Sequence, residues 1–84
     1  MDRDRAIILL NIVNRGVSVD LDVPLSITAN DLVYALNSAY QLNIDLNDMK
    51  NCYLKAEKPI MLLRGNKTLA EFGLRNGSVI NFTE

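Results

Sequence analysis

The sequence contains no histidine, a single cysteine and only two prolines in its 84 residues. Histidine is the commonest general base, the commonest metal ligand and the usual switch near physiological pH, so its absence removes three roles at once. The lone cysteine, Cys52, cannot form an internal disulfide, which favours a reducing compartment. No apolar run approaches the roughly 18 residues of a membrane-spanning helix, and the first apolar stretch is too short and too β-branched for a signal peptide. We therefore expect a cytoplasmic binding protein that is not an enzyme.

Neither sign of charge dominates the chain. Its 9 basic and 10 acidic residues leave a formal net charge of −1, whereas proteins that bind nucleic acid normally carry a strong basic excess on one face. A chain of 84 residues fits one small domain, which leaves little room for a deep cleft or a large cofactor. We expect a single domain over residues 1–84, with an ordered core over about 5–83, that binds neither nucleic acid nor a cofactor.

Two hydrophobic segments near the N-terminus predict a β-hairpin. Residues 6–13 form an aliphatic run, and residues 17–23 alternate strictly between apolar and polar side chains. Gly16 lies between them in a short turn. The alternation predicts that Ala6, Ile8, Leu10 and Ile12 point inward, and that Arg5, Ile7, Leu9, Asn11 and Val13 point outward.

An amphipathic helix of about three to four turns follows Pro24, which ends the second strand. Thr28 is a suitable N-cap, and Asp31 stands three residues later, as in a capping box. Asn43 is expected to close the helix in the left-handed conformation. The predicted apolar face consists of Ala29, Leu32, Val33, Leu36, Ala39 and Tyr40.

The second half of the chain predicts three more strands, over residues 52–57, 60–63 and 79–83. A single helical turn, capped by Thr68 and ended by Gly73, precedes the last of them. The order is ββαβββ, which favours one mixed sheet covered on one face by one helix. The last strand would lie parallel to the first. This is the β-grasp arrangement of the α+β class.

The segment 68–74, followed by a turn and a closing strand, resembles the end of ubiquitin in spacing and residue type. Residues 5–83 can be laid on the ubiquitin fold. Three segments are more specific within that superfamily: residues 19–24 (VDLDVP), 32–36 (LVYAL) and 69–80 (LAEFGLRNGSVI). Through them the chain resembles the YukD-like proteins, which are stand-alone ubiquitin-like components of bacterial type VII secretion systems. The resemblance implies a cytoplasmic accessory subunit, recruited to the inner face of the membrane, that supports or regulates secretion by binding other proteins.

Two other classes of ubiquitin-like protein are alternatives. Protein modifiers and sulfur carriers are activated at a flexible tail that ends in Gly-Gly, whereas this sequence ends in Phe82-Thr83-Glu84, so we expect no conjugation. An adaptor with no part in secretion is the second alternative, and nothing inside the chain separates it from a secretion component, because fold alone does not define function.

The open face of the sheet is the predicted partner-binding surface. Its residues are Ile7, Leu9, Asp20, Asp22, Tyr53, Lys55 and Val79. Exposed apolar patches often mark a protein or homodimer interface, although exposed aliphatic residues also stabilise strands through cross-strand pairs. The third and last strands present largely polar residues, so we expect ordinary ubiquitin receptors not to bind. The resemblance implies membrane-associated secretion subunits as partners, without insertion into the membrane, and a weak homodimer is the second option.

Two further clusters of reactive residues favour structural roles. Cys52 alternates with Leu54 and is expected to be a small buried hydrophobic residue, since the chain has no histidine to activate it. Asp45, Asn47 and Asp48 lack the glycine and the final glutamate of a calcium loop, so we expect a solvated connection that binds no metal.

Overall fold

The computed structural model describes residues 4–48, 52–58 and 60–83. Glu84, on which the argument against conjugation partly rests, lies outside these ranges. The elements are β1 (Arg5–Ile12), β2 (Val17–Pro24), α1 (Ala29–Tyr40), β3 (Leu54–Glu57), β4 (Met61–Leu63), α2 (Leu69–Phe72) and β5 (Val79–Phe82). Their order confirms the predicted ββαβββ pattern with a short helix before the last strand.

The five strands form one mixed sheet in the order β2-β1-β5-β3-β4. β1 pairs antiparallel with β2 and parallel with β5, and β3 pairs antiparallel with both β4 and β5. Parallel neighbours cannot be joined by a tight turn, so the long connection through α1 is what brings β5 beside β1. The predicted parallel pairing of the first and last strands is confirmed.

The core lies between one face of the sheet and α1. The inward side chains of β1 are at most 2% exposed, which confirms the predicted phase of that strand. α1 buries Ala29, Leu32, Val33 and Leu36 against them. Each fully buried aliphatic side chain contributes roughly 1.5–3 kcal/mol, so this layer supplies most of the driving force for folding. Ala39, expected on the buried face, is exposed instead.

The turn between β1 and β2 begins one residue earlier than predicted. Val13, expected to be the last residue of the first strand, starts a 3-10 turn over Val13–Arg15 and is 55% exposed. Gly16 ends the turn with a φ of 62°, a left-handed conformation that glycine adopts without steric cost. Arg15 donates hydrogen bonds to the carbonyl oxygens of Tyr40 and Gln41, at 2.6 and 2.7 Å, and so ties the hairpin to the end of α1.

Both predicted helix starts are confirmed, but the end of α1 is not where the sequence suggested. Thr28 Oγ1 accepts from the backbone N–H of Asp31, whose carboxylate accepts from the backbone N–H of Thr28, both at 3.1 Å. The helix ends because Gln41, and not Asn43, takes the left-handed conformation first, with a φ of 53°. This early turn directs Leu42, only 2% exposed, back into the core.

Candidate protein-binding surface

The sheet face opposite α1 is open, and strand register determines which side chains meet on it. Leu9 is paired with Asp20 on β2 and with Val79 on β5, and Val79 is paired with Glu57 on β3. These side chains therefore form one row across four strands, each strand about 4.8 Å from the next. The row is apolar at its centre and acidic at its two ends.

Ile7 extends the apolar centre of this row toward one end of the sheet. It is 56% exposed and lies opposite Asp22, two positions before Leu9 on the same face of β1. Its backbone N–H donates to the side-chain oxygen of Asn76 at 2.8 Å, which fixes the strand next to the turn before β5. Ile7, Leu9 and Val79 together are called the apolar cluster below.

The acidic residues beside the apolar cluster differ in whether a basic side chain pairs with them. Asp22 accepts from Arg5 Nε at 2.9 Å, in an exposed ion pair of the kind that contributes only about 0–1 kcal/mol. Asp20 and Glu57 are exposed and make no ion pair with any residue that the structure describes. Two carboxylates that make no ion pair with a described residue thus flank the cluster.

A second row of polar residues crosses the sheet beside the first. Asn11 Nδ2 donates to Asn81 Oδ1 at 3.1 Å, and the Ser18 hydroxyl donates to Asn11 Oδ1. Lys55, paired with Asn81, continues this row toward β4. We call it the polar row. Its hydrogen bonds link side chains on β2, β1 and β5, and the row marks one boundary of the apolar cluster.

Five of the seven predicted surface residues are brought together, and two are set apart. Ile7, Leu9, Asp20, Asp22 and Val79 lie on neighbouring strands in consecutive rows. Lys55 lies in the polar row. Tyr53 stands before β3 on the far side of that row, beside Thr83. The expected single patch that joins Tyr53 to the apolar cluster is therefore interrupted by amide and ammonium groups.

The most exposed large hydrophobic side chain among the described residues was not among the predicted surface residues. Ile60 is 89% exposed and Leu62 is 44% exposed. With Met61, Lys55 and Glu57 they line an open groove of about 420 Å³ along β4. Alternation within residues 60–63 contained the signal, because a buried Leu63 requires that Leu62 face the open side.

The residues considered for chemistry take up structural roles. Cys52 is 8% exposed, as expected for a small buried hydrophobic residue. Burial raises the pKa of its thiol, and the negative charges of Asp45 and Asp48 raise it further, so the reactive thiolate is disfavoured. Asp45 Oδ1 accepts from the backbone N–H of Asn47 at 2.9 Å. In the part of the chain that the structure describes, no group of three or more His, Cys, Asp or Glu side chains could hold a metal ion.

None of the described helices is long and apolar enough to cross a membrane.

Comparison with solved structures shows the fold class. The C-terminal ubiquitin-like domain of mouse tubulin-specific chaperone E superposes with a TM-score of 0.71 at 12% identity, over 95% of this chain and 86% of that one. Tubulin-binding cofactor B of Trypanosoma brucei gives 0.67 at 11% identity, over 95% and 94%. A designed protein based on ubiquitin gives 0.63 at 16% identity, over 95% and 88%. The chain is an α+β protein with the ubiquitin-like β-grasp fold.

Comparison with sequence families is more specific. Residues 7–81 match the family of YukD, described as the YukD protein of the WXG100 protein secretion system. The chain belongs to this family, and it is a ubiquitin-like protein associated with type VII secretion. Among curated proteins, none matches the sequence. The resemblance carried by residues 19–24, 32–36 and 69–80 is confirmed.

Proposed function

We propose that this protein is a non-catalytic accessory component of a type VII secretion system that acts in the cytoplasm by binding membrane-associated subunits of the machine. Membership of the YukD family supports the link to secretion. The observation that supports binding through the sheet is the apolar cluster, in which Ile7 is exposed and Leu9 and Val79 are half-buried on the open face, in a row that ends in the carboxylates of Asp20 and Glu57.

The make-up of this surface suits a protein partner. Interfaces between proteins have an apolar centre that is shielded from water by a polar, charged rim. Leu9 occupies the centre, since it contacts a neighbouring strand on each side, and Asp20 and Glu57 form part of the rim. Rim charges steer association and choose between partners more than they add affinity, so the acidic rim favours a partner with basic residues around an apolar patch.

The two alternative classes, protein modifiers or sulfur carriers and adaptors unrelated to secretion, predict different experimental results. A protein modifier or sulfur carrier would form a covalent bond with its partners, whereas the proposed component is held by contacts alone. An adaptor unrelated to secretion would use the same sheet face, but its surface variants would leave secretion unchanged. A test must therefore measure secretion as well as binding.

The experiment is complementation in the host. A strain without the gene receives the full chain as wild type, as Leu9→Asp or as Val79→Asp, and release of WXG100 proteins into the medium is measured. Tyr34→Asp is the matched control, because Tyr34 is 47% exposed on α1 and receives the same charge away from the sheet face.

We expect wild type and Tyr34→Asp to restore secretion, and Leu9→Asp and Val79→Asp to fail although they accumulate and remain folded by circular dichroism. Normal secretion with folded Leu9→Asp would refute a role for the apolar cluster. Loss of folding in Leu9→Asp alone would leave Val79→Asp as the deciding variant.

A further inference from the structure

One edge of the sheet is long and open. β2 has 8 residues and lies at the end of the strand order, whereas β4, at the other end, has only 3. An edge strand presents backbone N–H and C=O groups that have no ladder partner, and a further strand can pair with them. The identity of these groups follows from the pairing of β1.

The backbone hydrogen bonds of β1 alternate between its two neighbours. The Leu9 N–H donates to the Ser78 carbonyl oxygen at 2.9 Å, and the Gly77 N–H donates to the Ile7 carbonyl oxygen at 3.0 Å. Odd-numbered residues of β1 therefore point their backbone groups toward β5. The even-numbered residues, such as Ile8 and Leu10, point theirs toward β2.

The register between β1 and β2 determines which residues of β2 point their backbone groups toward β1. Ile8 is paired with Leu21 and Leu10 with Val19, so Val19 and Leu21 use their backbone groups within the sheet. The backbone groups of Ser18, Asp20 and Asp22 consequently point outward from the edge. Arg5 Nη2 donates to the carbonyl oxygen of Asp22 at 3.1 Å. Among the residues that the structure describes, nothing pairs with the outward backbone N–H and C=O groups of Ser18 and Asp20.

The two faces of this edge have opposite chemistry. On the helix side, Val17, Val19 and Leu21 are half-buried and pack against the core. On the open side, Asp20 and Asp22 are exposed. Because side chains alternate along a strand, an added strand would place every second residue beside the aliphatic row and the others beside the carboxylates.

A second copy of this chain is a poor occupant of the edge. Pairing β2 with its own copy through the outward groups places Asp20 or Asp22 of one copy opposite, or diagonally next to, an aspartate of the other. Like charges in these positions destabilise a strand pair. The carboxylates instead complement a strand that carries positive charge on the same face.

We propose that the β2 edge captures an extended segment of a partner protein in which aliphatic residues alternate with lysine or arginine, so that the segment becomes a sixth strand. The aliphatic residues cover Val19 and Leu21. The basic residues lie beside Asp20, which makes no ion pair with any described residue, and beside Asp22, whose carboxylate already accepts from Arg5. The edge site shares Asp20 with the rim of the sheet-face surface, but it binds through the open backbone groups of β2 and not through the apolar cluster, and the inference does not depend on a role in secretion.

The test is amide hydrogen exchange of the full chain, measured by NMR with a probe peptide. The probe is a blocked peptide of about seven residues that alternates lysine and valine. With the peptide at about ten times its Kd, the amides of Ser18 and Asp20 should exchange about tenfold more slowly. The amides of Val19 and Leu21 are already bonded to β1 and should change little, so protection at alternate residues identifies edge pairing.

Two controls test the charge and the occupant. A peptide with glutamate in place of each lysine should not bind. The Asp20→Asn variant of the protein should bind the lysine peptide with an affinity about two- to fivefold lower. Equal binding of the glutamate peptide, or no protection at Ser18 and Asp20, would overturn the proposal. Protection of these amides by self-association of the chain would show a second copy to be the occupant. Shifts confined to Ile7, Leu9 and Val79 would overturn the edge site but not the sheet-face proposal.

Discussion

Replacement of Ser78 by alanine should destabilise the protein although the change removes a single oxygen atom. Ser78 is 0% exposed. Its hydroxyl donates to the carbonyl oxygen of Lys58 at 2.6 Å and accepts from the backbone N–H of Arg75 at 3.0 Å. It thus links the end of β3 to the turn before β5, next to the paired residues Glu57 and Val79.

The expected cost follows from these two contacts. A hydrogen bond contributes about 1 kcal/mol net, and a buried group left without a partner costs about 1–3 kcal/mol. We expect Ser78→Ala to lower the free energy of unfolding by about 2–3 kcal/mol. In a domain of this size each kcal/mol corresponds to about 4–8 °C in Tm, so the loss should exceed about 8 °C.

Thermal and urea unfolding followed by circular dichroism would measure this effect. Ser26→Ala is the matched control, because Ser26 is exposed in the turn after β2 and its replacement should change stability by less than about 0.5 kcal/mol. Equal stability of Ser78→Ala and Ser26→Ala would show that the buried hydroxyl does not hold the two strands together.

Three further predictions concern the start of α1 and the buried thiol. Thr28→Ala removes the N-cap acceptor and should cost about 1 kcal/mol in urea unfolding, whereas an unchanged midpoint would contradict the capping box. Cys52 should react slowly with a thiol reagent in the folded protein and rapidly in denaturant, and equal rates in the two states would contradict its burial. Because its pKa is raised on folding, the folded state binds the thiol proton more tightly, so stability should be constant below the ordinary thiol pKa and fall as the pH rises above it. Cys52→Ala should remove this decline, and its persistence in the variant would assign the decline to other groups.

Strand phase and helix starts could be predicted because both depend on local patterns. Alternation along residues 6–12 determines which side chains of β1 are buried. A threonine with an acidic residue three positions later marks the start of each helix. The parallel contact between Leu9 and Val79 was also accessible, since the crossover through α1 leaves β5 beside β1.

The register between strands that are distant in sequence was harder to predict. Whether Tyr53 joins the apolar cluster depends on how β3 is shifted against β5, and a single sequence does not encode that shift locally. The end of α1 at Gln41 has a similar origin: several polar residues could turn left-handed, and burial of Leu42 selects among them. Ile60 was not predicted because the expected surface included none of residues 60–63, although their alternation places Leu62 on the open face.

The central claim is that this ubiquitin-like protein works by non-covalent contact with a type VII secretion machine. The most direct test is a pull-down of the tagged full chain from detergent-solubilised membranes of its host, eluted natively and analysed by mass spectrometry. We expect enrichment of type VII membrane subunits, released without any covalent adduct. Recovery of an adenylating enzyme, or of proteins covalently linked to the bait, would contradict it and place the protein among the modifiers.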